Sequence, residues 1–234
     1  MLYPLINSRK FIAMEERREI KILLIDDHHM ILEGYRNVLS KSRIDKVDFS
    51  IDTAENCELA WHKIKKGNYQ VVFLDINFPV SENSKILSGE DLGIKIKKEY
   101  PLIRIIILTI LEDSFRLHNI LSNINPDGFL LKGETTSKEL VRCLERVLHS
   151  PPYYGAKVSK LLHSGNTQRF YLDETDRTML YHLSLGAKTK DLPGHVNLSL
   201  RAVEDRKRKL KEIFGVSGEG NKALLEKARE SGYI

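Results

Sequence analysis

Lys21-Ile22-Leu23-Leu24-Ile25-Asp26-Asp27 is an apolar run that ends in two acids. The same figure recurs three times. Val71-Val72-Phe73-Leu74 runs into Asp75, Ile105-Ile106-Ile107-Leu108 into Thr109, and Gly128-Phe129-Leu130-Leu131 into Lys132. Short apolar runs bounded by polar signals read as buried strands, and their alternation with helical stretches reads as a parallel sheet. Ligands of such sheets bind beyond the carboxyl ends of the strands. Each of these polar residues stands at that end, so the spacing predicts that Asp26, Asp27, Asp75, Thr109 and Lys132 converge.

The residue types say what such a cluster does. Three packed carboxylates repel one another, a cost that a divalent cation relieves, and an all-oxygen donor set suits Mg²⁺. With the charge relieved, Asp75 is placed to act as a carboxylate nucleophile toward a phosphoryl group, forming an aspartyl phosphate. Lys132 supplies positive charge to the phosphoryl oxygens and the Thr109 hydroxyl supplies a donor. A lone polar residue at a strand end is usually a solvated cap. Five of the right types, each after an apolar run, are not explained that way.

The pattern closely resembles the receiver domain of NarL/LuxR-type two-component response regulators over residues 20–148. KILLIDDHHMILEG looks like the first strand with its acidic pair, VVFLDINFP like the phosphoacceptor strand, IIILT like the switch-threonine strand and DGFLLKGE like the lysine strand. The resemblance implies a doubly wound, five-stranded, flavodoxin-like α/β fold with Asp75 as phosphoacceptor. It implies Mg²⁺ held by Asp27 and Asp75 directly, by Asp26 through water and by the Asn77 main-chain carbonyl. Phe129 matches the aromatic that turns inward when Thr109 shifts toward the phosphate. Three departures stand out. The stretch from Pro79 to Gly89 is longer than the usual turn and is expected to form a flap, bulky Ile110 is expected to narrow phosphoryl access, and Gly133 follows the lysine.

The 234 residues have room for one or two domains, each able to bury a real core. A hydrophobic content of 41% with 29% charged residues is globular, not disordered. No apolar run approaches the roughly 20 residues of a bilayer span, and the amino terminus lacks a signal-peptide core. Cys57 and Cys143 show no metal-ligand spacing and fit a reducing cytoplasm. Residues 1–19 read as a tail outside the fold, and Met14 would serve equally well as a start. His28 and His29 are expected to point apart rather than share a metal. Trp61 and Tyr69 are expected to pack the second helix on the sheet.

Net charge is only +5, but Arg206-Lys207-Arg208-Lys209-Leu210-Lys211 concentrates cations near the carboxyl terminus. Residues 149–171, with Ser150-Pro151-Pro152 and Ser164-Gly165-Asn166, read as a linker carrying one short helix. Beyond it, the periodicity predicts four helices: Asp173 to about Leu185 stopping at Gly186, a short one from about Lys188, a third capped by Ser199 and closed by Gly215, and a fourth over about 219–231. A short helix, a turn and a basic helix make a helix-turn-helix, whose second helix enters the major groove. Residues 172–234 resemble the all-α LuxR-type output domain, with Leu172, Gly186, Leu192, Leu198, Ser199, Val203 and Gly215-Val216 at its characteristic positions. Pro193-Gly194 departs from it and predicts a short or kinked scaffold helix.

With Val203, Leu210 and Phe214 inward, Arg201, Glu204, Asp205, Arg208 and Glu212 face outward, where the base-contacting side chains of the family it resembles would come. Lys207, Lys209 and Lys211 flank them as phosphate contacts, and Arg206 falls nearer the inward stripe. These expectations describe a cytoplasmic regulator, not a multiple-turnover enzyme. The resemblance implies that a sensor histidine kinase phosphorylates Asp75 and that a homodimer then binds duplex DNA. The alternative is an output domain that binds protein instead, since acids on the third helix oppose phosphate contact.

Overall fold

The computed structural model describes residues 17–44, 46–77, 86, 88–110, 114–164, 172–231 and 233–234. Strands and helices alternate as β1 (Arg18–Ile25), α1 (His29–Ser40), β2 (Val47–Ala54), α2 (Cys57–Lys66), β3 (Val71–Leu74), α3 (Gly89–Glu99), β4 (Arg104–Thr109), α4 (Ser114–Ile124), β5 (Gly128–Leu131) and α5 (Ser137–His149). The sheet runs in the order β2-β1-β3-β4-β5-β6, all parallel. Its sixth strand is the two-residue β6 (Tyr153–Tyr154), one strand more than the sequence predicts. Tyr153 and Tyr154 pair with Gly128 and Phe129, and two residues are too few to leave a periodic signal.

Strand alternation divides the core between the two faces of the sheet. Leu23, Ile25, Val72, Leu74, Ile105 and Ile107 pack with α2, α3 and α4. Ile22, Leu24, Val71, Phe73, Ile106 and Leu108 pack with α1 and α5. With both faces covered, the strands read as unbroken apolar runs. Tyr69 is buried and Trp61 half-buried against the first face, as expected. Val158 of α6 (Ala156–Ser164) joins that same face.

A third, separate core gathers Leu172, Met179, Leu180, Leu183, Leu192, Val203, Leu210, Val216, Leu224 and Ala228. Its helices are α7 (Glu174–Ser184), α8 (Pro193–Val196), α9 (Leu200–Ile213) and α10 (Asn221–Glu230). A 3-10 turn over Thr189–Asp191 precedes α8. Pro193 opens α8 at its first turn, where the missing N–H costs nothing, and left-handed Asn197 closes it after four residues. The scaffold helix is short, as expected, but Pro193 begins α8 instead of breaking a helix late in its course. Gly186 and Gly215 end α7 and α9 at φ +88° and +68°.

Asp173 caps α7 through a reciprocal pair: it accepts from the Asp176 N–H at 2.9 Å, and the Asp176 carboxylate accepts from the Asp173 N–H at 3.2 Å. Asp173→Ala should therefore lower the stability of the third-core unit by about 1 kcal/mol, seen as a shift in urea midpoint. An unchanged midpoint would show that the cap is redundant.

Candidate functional site

The ends of β1, β3, β4 and β5 place the expected residues together. Asp26 follows β1 and donates its amide to the Ala54 carbonyl, while Asp75 follows β3 and donates its amide to the Ile25 carbonyl. These ladder bonds continue just past the strands and fix both main chains. Lys132 follows β5, and its Nζ lies 2.5 Å from both Asp26 Oδ2 and Asp75 Oδ2. The three side chains are 6%, 4% and 3% exposed, so this clasp is shielded from solvent. Burial alone would depress the Lys132 pKa, but hydrogen bonds and charge from Asp26 and Asp75 outweigh it and hold the amine above its ordinary value.

The remaining acid is only partly answered. Asp27 Oδ1 lies 2.7 Å from His28 Nδ1, yet it is buried without an aligned hydrogen-bond donor among the described residues. His28 also turns Nδ1 toward Asp26 Oδ1 at 3.2 Å and gives that oxygen its main-chain N–H at 3.0 Å. His29 instead faces Glu55, so the two histidines do point apart. Three carboxylates against one lysine, with one oxygen unsatisfied, fit a hard cation with oxygen ligands. Asn77 donates its N–H to Asp75 Oδ1 at 3.1 Å and its side-chain amide to the Ile110 carbonyl at 3.1 Å. Ile110 is 66% exposed.

Thr109 ends β4 fully buried, and among the described residues its Oγ1 has no hydrogen-bond partner. A buried hydroxyl left unpaired is destabilising, and its persistence calls for a role in another state of the protein. Phe129 is already fully buried, packed in the core on the α2–α3–α4 face. Tyr35, which the sequence did not flag, lines a small cavity with Asp26 and Asp75. Burial, then the charges of those two acids, push its phenol up from the ordinary value. Position thirty-five lies mid-helix, with no sequence signal tying it to the strand ends. Of the stretch expected to form a flap, residues 78–85 and 87 lie outside the described residues. So do residues 1–16 of the expected tail and 165–171 of the linker.

On α9, Arg201, Glu204, Asp205, Arg208 and Lys209 are exposed, while Lys207 and Lys211 are half-buried. Arg208 pairs with Asp205 at 2.7 Å. Lys207 donates to Thr189 Oγ1 at 2.6 Å, and burial, with Lys211 nearby, lowers its pKa. Lys211 donates to the Glu219 carbonyl. Arg206 holds Asp173 and Asp176, both at 2.8 Å, in the structural role its inward position predicts. Ser199 caps the helix, accepting from the Ala202 N–H. Among the described residues, no helix is long and apolar enough to cross a membrane.

The chain is 27% identical to the transcriptional regulatory protein MctR of Rhizobium johnstonii, covering 87% of this chain and 91% of that protein. It is 23% identical to the oxygen regulatory protein NreC of Staphylococcus carnosus, over 80% and 88% of the two chains. Among solved structures it resembles RcsB of Salmonella enterica serovar Typhimurium bound to promoter rprA in the presence of phosphomimetic BeF3−. The TM-score is 0.65 at 22% identity, covering 90% of this chain and 98% of that one, a likeness of fold. The family model of the response regulator receiver domain matches residues 22–145, the span that carries the three acids, Thr109 and Lys132, and the chain belongs to that family.

Proposed function

We propose that this response regulator is phosphorylated on Asp75 and acts as a DNA-binding transcriptional regulator through its carboxyl-terminal helices. The observation that carries the proposal is the buried clasp of Lys132 on Asp26 and Asp75 at the carboxyl end of the sheet. The chain divides into a receiver over 20–148, a linker over 149–171 and a helix-turn-helix unit over 172–234. Asp26, Asp27, Asp75 and the Asn77 carbonyl would hold Mg²⁺, which when bound offsets carboxylate repulsion and phosphoryl charge.

Asp75 then attacks phosphorus. The donor's bond to its leaving group breaks as the acyl-phosphate bond forms, and Lys132 moves its charge onto the phosphoryl oxygens. The unpaired Thr109 hydroxyl is the donor that the phosphoryl group calls on, and Phe129, packed behind the sheet end, belongs to the same switch. The phosphoryl donor is a sensor histidine kinase, and the phosphorylated form binds duplex DNA as a homodimer. MctR and NreC are named as regulators, and RcsB is solved on promoter DNA, which supports this reading.

The exposed side chains of α9 supply the DNA face. Arg208, steadied by Asp205, is aimed as a guanine reader, with Arg201, Glu204 and Asp205 as neighbouring base contacts. Lys209 is a phosphate contact. Lys207 and Lys211 reach phosphate only by leaving Thr189 and the Glu219 carbonyl. The exposed acids Glu204, Asp205 and Glu212 favour one second reading, an output unit that binds protein.

Duplex binding by the phosphorylated chain decides between them. Affinity should fall steeply with salt. Arg208→Ala should cost about 1–3 kcal/mol on the preferred site and relax one base position, whereas Lys209→Ala should weaken all sequences and flatten the salt slope by about 1. No duplex binding at low salt would hand the function to the protein-binding reading.

A further inference from the structure

His28 is the first residue beyond the acidic pair, and its imidazole turns back onto that pair. The residue stands at the N-cap of α1 in an extended conformation, and its side chain makes no cap bond. Its main-chain N–H donates to Asp26 Oδ1 at 3.0 Å, which anchors the residue beside the acids. Nδ1 then lies 2.7 Å from Asp27 Oδ1 and 3.2 Å from Asp26 Oδ1. Asp26 meets Lys132 through Oδ2, so Oδ1 is the oxygen left toward His28. Asp75 is engaged on both oxygens, by Lys132 at Oδ2 and by the Asn77 N–H at Oδ1.

An imidazole N–H explains only part of this geometry. Nδ1 carries at most one hydrogen, which points along one line in the ring plane. It is aligned for Asp26 Oδ1, whereas Asp27 Oδ1, though nearer, is buried without an aligned donor among the described residues. A cation has no such direction. Bonds of about 2.0–2.2 Å that meet near right angles set neighbouring donor atoms about 3 Å apart. The two nitrogen-to-oxygen separations bracket that spacing, and the three donor atoms all lie within 4.8 Å of one another. A small turn of the exposed ring aims its unprotonated Nδ1 between the two oxygens. Three protein ligands with the remaining positions open to water is the make-up of an accessible zinc site.

We infer that Asp26, Asp27 and His28 form a mixed oxygen and nitrogen site for a borderline divalent cation such as Zn²⁺, which competes with Mg²⁺ for the acidic pair. The nitrogen sets the preference. Imidazole suits zinc and its neighbours in the first transition row, whereas Mg²⁺ takes oxygen and gains nothing from His28. The Mg²⁺ set of Asp26, Asp27, Asp75 and the Asn77 carbonyl is all oxygen. Both cations need Asp27, so one excludes the other. The inference shares its two acids with the proposed Mg²⁺ site but does not need Asp75 to accept a phosphoryl group. His29 takes no part, because it faces Glu55.

Imidazole ¹⁵N spectra of the full chain, titrated with Zn²⁺ or Mg²⁺ at mildly alkaline pH without phosphodonor, test this at the atom concerned. Of the eight histidines, His28 is assigned as the one whose signals are missing in His28→Ala. Zn²⁺ should move its Nδ1 resonance, and Mg²⁺ should leave it near its starting position. In competition with a chromogenic chelator, His28→Ala should bind Zn²⁺ about tenfold or more weakly, while Mg²⁺ affinity stays within about twofold. Asp27→Asn should weaken both cations. Zn²⁺ should also raise the Mg²⁺ concentration that half-saturates the parent, read from backbone amide shifts, and do so far less in His28→Ala.

The site is overturned if Zn²⁺ moves other histidines and leaves His28 in place. It is equally overturned if His28→Ala keeps the parent's Zn²⁺ affinity, or loses Zn²⁺ and Mg²⁺ affinity in equal measure, the mark of a neighbour that only hydrogen-bonds. Zn²⁺ affinity unchanged in Asp27→Asn would also remove it. Failure of Asp75 to take up a phosphoryl group would count against the proposed function and alter none of these results.

Discussion

Asp75→Asn takes up no phosphoryl group from a small phosphodonor in Mg²⁺, whereas the parent approaches one equivalent of acid- and base-labile label. An amide cannot serve as the carboxylate nucleophile, so the loss is complete and not graded. The substitution keeps the side-chain shape, and the Asp75 N–H bond to Ile25 and the strand ladder do not depend on the carboxylate. The fold should survive it. Chelating Mg²⁺ should suppress labelling of the parent as well, because three acids then face the incoming phosphoryl group with only Lys132 to answer them. Full labelling of the variant would move the acceptor elsewhere, to Asp26 or Asp27 first.

Lys132→Met has the second large effect, and it appears in stability as well as in chemistry. The lysine is the counter-charge to two carboxylates that are almost wholly buried, and removing one partner of a buried ion pair costs about 3–5 kcal/mol. In chelator the variant should therefore unfold at a much lower urea concentration than the parent. Mg²⁺ should recover much of the difference, since a ligand that binds only the folded state stabilises it by mass action. The parent should gain less, because its lysine already does part of the cation's task. A variant as stable as the parent in chelator, and blind to Mg²⁺, would show that the clasp contributes little to folding.

How much of this was legible in the chain depends on the range of the interaction concerned. The runs ending in Asp26-Asp27, Asp75, Thr109 and Lys132 are each local, and parallel strands put their carboxyl ends on one edge, so periodicity alone brought the acids and the lysine together. The caps Asp173 and Ser199, the stops Gly186 and Gly215 and the start of α8 at Pro193 are local too, because they act through backbone groups within a turn. Phe129 was placed on the right strand, but its full burial depends on the core around it. The outward face of α9 was also legible, but the intramolecular partners of Lys207 and Lys211 were not: Thr189 and Glu219 lie off the helix and are reached only once it is packed.

The sequence by itself determined the parallel sheet, its chemical edge and a helical unit after it, since these follow from which residues are apolar at spacings of two and of 3.6. Tertiary structure alone decided that β6 would extend the sheet, that Tyr35 would face the acids from mid-helix, and that Glu90 would be buried between Arg116 and Arg177. Glu90-Asp91 reads as an ordinary acidic helix start and Arg177 as an ordinary charge in an amphipathic helix. What makes them a junction is a contact across 87 positions of chain, and no local pattern records which distant charge will be present when a carboxylate leaves water.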